Sequence, residues 1–279
     1  MRFLFVGDSM TIGRNGEETW RYWMARHLRG CPACVRPGGG PASVVGPWTH
    51  QYADGDSTGA GSGTGTAVTG TAGTGREDSG REAGDASAGR HRHLAAWGEG
   101  WLHMASRIGA AVSDHRPDVL LVSLGLIDLG FYTDSAGTDA NVRRFFAEAR
   151  AAGPRIRAVV LPVVPNVRAT TDAPFAAEVE RFNGLLARTL AGLTLPGSPL
   201  TLAPSPTAPP VSYGIASDTY DGTHPSPSGA RKLAAAFAHA LHAPPDPTAP
   251  SPPALPAAAM AGPGSTGAPV SLLASVESV

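Results

Sequence analysis

Short apolar runs alternate with longer amphipathic stripes along most of this chain. Residues 2–6 (RFLFV) end at Gly7 and read as a buried strand, and 42–46 (ASVVG), 118–124 (DVLLVSL), 156–164 (IRAVVLPVV) and 199–203 repeat the signal. Between them lie helical stripes. Trp20, Trp23, Met24, His27 and Leu28 share one face of a helix expected over 17–29. Trp97, Trp101, Met104, Ala105, Ile108 and Val112 mark a second, and Val142, Phe145, Phe146 and Ala149 a third. Phe175, Val179, Phe182, Leu185, Leu186 and Leu190 mark a fourth. Ser226 followed by Pro227 suits the start of a last helix with Leu233, Phe237, Ala240 and Leu241 on its inner face. Strands that alternate with helices build βαβ units. The expected fold class is α/β, with a parallel sheet of about five strands covered on both faces.

Two stretches break the pattern. Residues 54–90 hold 11 Gly and almost no large apolar side chain, and 244–279 hold 9 Pro. Neither can offset its ordering entropy by burial, so the expectation is a disordered Gly-rich insertion at 54–90 and a disordered Pro/Ala-rich tail at 244–279. The remainder of 1–243 is long enough for one good core, and one domain is expected there.

Composition removes several functions. A net charge of −1 gives no polyanion surface, so no nucleic-acid partner is expected. The basic residues are almost all Arg, with Lys232 the single lysine. No run of about 18 apolar residues is present, so no membrane span is expected. The N-terminal MRFLFVGDSM lacks the apolar stretch and cleavage site of a signal peptide, which favours a cytoplasmic protein. Two cysteines cannot make a disulfide scaffold. Cys31-Pro-Ala-Cys34 has no second pair and no thioredoxin-like context, and reads as incidental. His91 and His93 read as surface residues, since no convergent ligands accompany them. The Gly/Thr run at 59–75 lacks a Gly-Lys-Ser/Thr motif and a preceding strand, so it is not a phosphate loop.

In a parallel sheet, ligands sit beyond the C-terminal ends of the strands. The first strand runs there into Gly7-Asp8-Ser9-Met10. A Ser in that place reads as a turn or cap, or as a nucleophile near a helix N-terminus. A nucleophile needs a base, and the base an orienting acid. Asp221-Gly222-Thr223-His224-Pro225, just before the last helix, offers both three residues apart, or else a surface turn with an incidental His.

Gly-Asp-Ser after the first strand, with Asp-x-x-His before the last helix, resembles the SGNH (GDSL-type) hydrolase family. The resemblance covers residues 2–242. It implies a flavodoxin-like three-layer α/β/α sandwich that hydrolyses esters, thioesters and related acyl bonds. It implies Ser9 as nucleophile, His224 as general base and Asp221 as its orienting acid. It also implies three oxyanion donors: the Ser9 amide, a Gly amide and an Asn side chain. Gly100 is the first choice for the Gly and Gly98 the second. Where the family carries Gly-x-Asn-Asp, this chain has Gly125-Leu126-Ile127-Asp128, so Ile127 replaces the Asn. Asn166 or Arg168, after the fourth strand of the family pattern, lies at the same sheet edge and is a candidate substitute. Asp8 and Asp128 are expected to support the site as buried hydrogen-bonding residues.

The expected activity is hydrolysis of a small-molecule ester or thioester of a small or medium acyl group through an acyl-enzyme. The alternatives are an acyltransferase using the same triad with a non-water acceptor, and a catalytically idle fold because of Ile127. The chemistry requires no metal and no organic cofactor. Oligomeric state is open.

Overall fold

A computed structural model describes residues 1–35, 40–52 and 91–243. The insertion expected at 54–90, the Gly/Thr run within it and the tail expected at 244–279 lie outside the described residues.

Strand β1 (Arg2–Gly7) is central. Two short strands share one of its edges. β2 (Ser43–Val45) pairs with Arg2, Phe3 and Leu4, and β3 (His93–Ala95) pairs with Phe5, Val6 and Gly7. On the other edge follow β4 (Val119–Ser123), β5 (Arg157–Val160) and β6 (Leu200–Leu202). Every pairing is parallel, and the path runs β2-β1-β4-β5-β6 with β3 beside β1. Six strands therefore occupy five positions, because β2 and β3 succeed each other along β1. Trp48 and His93 pair across the gap between them through two backbone hydrogen bonds, of 3.2 and 2.9 Å.

Side-chain alternation along the strands divides the core in two. Leu4, Val6, Leu120, Val122, Ala158 and Val160 face one layer of helices. That layer holds α3 (Trp101–Met104), α4 (Ile108–His115), α5 (Ser135–Ala152) and α6 (Ala173–Leu193). Trp101, Phe145, Phe146 and Phe182 fill it. Phe3, Phe5, Leu121, Val159 and Leu161 face the opposite layer, built by α2 (Trp20–Arg29) and α8 (Pro227–His242). Trp20 sits between Phe5 and Phe237 there, with ring centroids 5.3 and 4.4 Å away. The result is the expected three-layer sandwich.

The departures have local causes. α2 begins at Trp20 instead of Glu17, because Glu17 accepts the Arg14 N–H at 2.8 Å and holds a turn before the helix. The stripe expected from Trp97 divides into a loop and two helices. β3 precedes it, Trp97 is in the loop, and α3 and α4 are separate helices. β5 stops at Val160, just before Leu161-Pro162, where the missing proline N–H would break a ladder. His93 is fully buried, which corrects the surface reading: its Nδ1 accepts the Ala95 N–H at 3.1 Å and its Nε2 donates to the His50 carbonyl at 2.8 Å. Burial lowers its pKa to about 3. A π-helical turn over Asp128–Tyr132 and the four-residue α7 (Ile215–Asp218) were not anticipated.

Candidate active site

The C-terminal ends of β1, β3, β4 and β5 converge with the loop before α8. At the end of β1 the chain turns at once into α1 (Ser9–Ile12). Gly7 permits this, since a Cβ there would lie 1.9 Å from Thr11 Oγ1 and 2.9 Å from the Ser123 carbonyl. Asp8 caps the helix, its Oδ1 accepting the Met10 N–H at 3.0 Å. Ser9 is the first helical residue, where the helix provides no i−4 carbonyl for its N–H.

The loop before α8 is organised by one carboxylate. Asp221 Oδ1 accepts the N–H groups of Thr223 (2.9 Å) and His224 (2.7 Å), and so closes the turn. Its Oδ2 lies 2.6 Å from His224 Nδ1. Partial burial raises the Asp221 pKa, but the hydrogen bonds from His224 and Thr223 outweigh it and hold the carboxyl below the usual range. With Nδ1–H donating to Asp221, Nε2 is left as an acceptor, and it lies 3.0 Å from Ser9 Oγ. Trp97 and Tyr220 both stack on the imidazole, with centroids 4.8 and 5.7 Å away. Tyr52 stacks on Trp97 in turn, at 4.5 Å.

A second buried carboxylate organises the other side. Asp128 accepts the Trp101 N–H at 2.9 Å and the Leu102 N–H at 3.1 Å, capping α3 from another segment. Burial raises its pKa despite these bonds. Gly100 is required by this contact, because a Cβ on it would lie 2.1 Å from Asp128 Oδ2. The Gly100 N–H itself donates to His103 Nδ1 at 3.1 Å.

Two clefts meet at Ser9 and His224. The smaller, about 280 Å³, is walled by Glu17, Glu18, Thr19 and Tyr220. The larger, about 640 Å³, is walled by Trp97, Gly98, Ile127, Phe131 and Phe175, with Asn166 and Arg168 on its polar side. Gly98, not Gly100, therefore borders the cleft beside Ser9. Asn166 Nδ2 donates to Thr223 Oγ1 at 3.3 Å, and its buried Oδ1 has no partner among the described residues. Arg168 is engaged elsewhere, with Asp172 at 2.9 Å, the Gly130 carbonyl at 3.3 Å and the Phe175 ring.

The structure thus brings together Ser9, Asp221 and His224, with Ile127 and Asn166 in the adjoining cleft; Asp8 and Asp128 serve as caps behind them. Sequence reasoning did not single out Trp97 and Tyr220 at the imidazole or Thr223 beside Asn166. Trp97 carried the one available signal, lying two residues past β3, but that strand is three residues long and gave no recognisable run.

The GDSL-like Lipase/Acylhydrolase family model matches residues 53–232, which take in Asp221 and His224 and begin downstream of Ser9. No curated protein matches the sequence significantly. Among solved structures, a carbohydrate esterase family 3 protein from Talaromyces cellulolyticus is 18% identical. Their alignment covers 85% of this chain and 94% of that one, with a TM-score of 0.58. A Clostridium thermocellum family 3 carbohydrate esterase is 17% identical over 85% and 92%, also at 0.58. An acetyl esterase mutant crystallised with acetate ion is 18% identical over 85% and 94%, at 0.59. These likenesses show a shared fold. With the family model spanning most of its length, the chain belongs to the GDSL-like lipase/acylhydrolase family of ester-hydrolysing enzymes.

Proposed function

We propose that residues 1–243 form a serine esterase domain in which Ser9 is the nucleophile, His224 the general base and Asp221 the residue that orients it. The observation that carries this reading is the continuous relay from Asp221 Oδ2 through His224 to Ser9 Oγ, at 2.6 and 3.0 Å. His224 Nε2 takes the Ser9 proton as Oγ attacks the ester carbonyl. The carboxylate keeps the imidazole in the tautomer this requires and stabilises the imidazolium. His224 then protonates the departing alcohol or thiol, and water releases the acyl group by the reverse sequence.

The oxyanion that forms needs donors. The Ser9 amide supplies one. The second is assigned to Gly98, since the Gly100 N–H is committed to His103 and Gly100 is occupied in accommodating Asp128. Ile127 stands where the family has an Asn and offers no donor. Asn166, in the same cleft with its amide nitrogen donating to Thr223 Oγ1, is the third contact; an unchanged turnover in Asn166→Ala would remove it from the list. Two clefts that meet at Ser9 suit an ester whose two halves diverge from the carbonyl. The mainly apolar larger cleft takes a small or medium acyl group.

Labelling by a fluorophosphonate probe, read beside hydrolysis of p-nitrophenyl acetate and butyrate, tests the core of this. Wild type should label and turn over, and Ser9→Ala should do neither. Labelling that persists in Ser9→Ala, or no turnover by the wild type, sinks the assignment. The acyltransferase reading is favoured by the less polar Ile127, and product analysis with an added acceptor alcohol separates it from hydrolysis.

A further inference from the structure

The C-x-x-C pair has acquired two neighbours that its sequence context did not reveal. His27 is in the last turn of α2, and Cys31 follows four residues later, just past the helix end. His242 is the final residue of α8, 211 positions beyond Cys31. The two imidazoles face each other with Nε2 atoms 2.8 Å apart, and His242 Nε2 lies 3.7 Å from Cys31 Sγ. All three ligand atoms lie within 4.8 Å of one another. Cys34 Sγ is joined to Cys31 Sγ as a disulfide, and both cysteines are buried. His27, Cys31 and His242, from two helix ends and one turn, therefore bring three ligand atoms together, and the disulfide holds Cys34 Sγ next to Cys31 at the margin of that group.

We propose that the reduced chain binds one zinc ion here through His27, Cys31 and His242, with Cys34 completing the set once the disulfide opens. The donor set is the Cys₂His₂ combination of structural zinc sites, and the Cys-x₂-Cys spacing is among those such sites use. Two of the ligand–ligand distances come near it. Ordinary Zn–N and Zn–S bonds make a tetrahedron with edges of roughly 3.3 Å between nitrogens and roughly 3.6 Å between nitrogen and sulfur. The Cys31 Sγ–His242 Nε2 pair is already close to that value, and the two rings need part by only about half an ångström. The ends of α2 and α8 add a second favourable element. Both are C-termini, where unpaired carbonyls concentrate partial negative charge and favour a cation.

Disulfide and metal are alternatives at this site, because a sulfur in a disulfide is no thiolate. A dithiol reductant supplies two electrons and two protons, breaks the S–S bond, frees both thiols and itself becomes a disulfide. Zinc then displaces the two thiol protons and takes two thiolates and two neutral imidazoles, a neutral centre overall. The ion would tie α8, whose N-terminus follows the His224 loop, to α2, which packs beside it. Its role is structural and separate from the reaction at Ser9.

The test uses the full chain, reduced with a phosphine or left oxidised, titrated with zinc chloride against a chromophoric chelator. One equivalent should bind the reduced protein. The oxidised protein, the Cys31→Ser/Cys34→Ser variant and His27→Ala/His242→Ala should each bind about 100-fold more weakly or not at all. Cobalt(II) in place of zinc should give the reduced wild type a thiolate charge-transfer band and the strong visible absorption of a tetrahedral centre. That measurement needs no variant to fold. Equal zinc affinity in the oxidised and reduced chains, undiminished binding in His27→Ala/His242→Ala, or a weak octahedral cobalt spectrum would overturn the proposal.

Discussion

Asp8 gives the most quantitative handle on the site. The residue is 1% exposed, and its Oδ2 has no hydrogen-bond partner among the described residues. Burial, with a smaller contribution from the charge of Asp128, raises its pKa from 3.8 to about 7, although the Met10 N–H pulls the other way. Between those two values the folded chain keeps a proton that the unfolded chain has lost. Stability therefore falls as pH rises through this window. At a little over 1 kcal/mol per pH unit the full effect is about 4 kcal/mol, of which about 3 kcal/mol falls between about pH 5 and about pH 8. Asp8→Asn cannot ionise and keeps the capping acceptor for Met10. Urea unfolding of both proteins across that range should show the variant gaining on the wild type by about 3 kcal/mol. Comparing the two proteins cancels His93, whose depressed pKa makes stability rise with pH through its unfolded value near 6.5. A difference that stays flat within about 0.5 kcal/mol would refute the claim that the fold holds Asp8 protonated.

Three further outcomes are expected. Ile127→Asn should raise kcat on a p-nitrophenyl ester by about tenfold or more, because one oxyanion donor carries about 10²–10³ in such sites; no gain would show that position 127 does not face the oxyanion. Gly100→Ala should cost about 1–3 kcal/mol in chemical unfolding, since its Cβ must displace the Asp128 carboxylate 2.1 Å away; a neutral result would contradict that packing. Asp218 is buried and binds Gly214 N–H (2.8 Å), Ser228 Oγ (2.7 Å) and Lys232 Nζ (2.7 Å). Burial works against its charge, but these partners win and hold its pKa well below the usual range, so its contribution is present near neutral pH and is lost on acidification. Asp218→Ala should destabilise by about 3 kcal/mol at neutral pH, and a loss under about 1 kcal/mol would discount the network.

What could be read from the residues follows the range over which they interact. β1, β4, α5 and α6 are legible because each carries its own period, and their buried faces match it: Phe145, Phe146, Phe182 and Leu186 are all inaccessible. Gly7-Asp8-Ser9 and Asp221-x-x-His224 are legible because the turn chemistry of each is local. β3 is not, since three residues that follow a long insertion contain too little pattern to distinguish a strand from the start of a helix. The choice between Gly98 and Gly100 depends on where Asp128 and His103 point, which no spacing reveals. The Cys31 cluster is the extreme case, because His242 lies 211 residues away and nothing local marks it as a partner.

The strand position shared by β2 and β3 has a consequence for how such a chain can be lengthened. The first half of β1 is satisfied by β2 and the second half by β3, so the sheet register does not depend on the number of residues between them. The Trp48–His93 bridge joins the segments that flank the excursion. Material added there carries a loop-closure cost that grows only with the logarithm of its length. Only β3 leads on to Trp97 and Gly98. A binding module or reporter domain grafted between residues 52 and 91 would thus change the size of the protein without changing the sheet register that sets Ser9 at the end of β1.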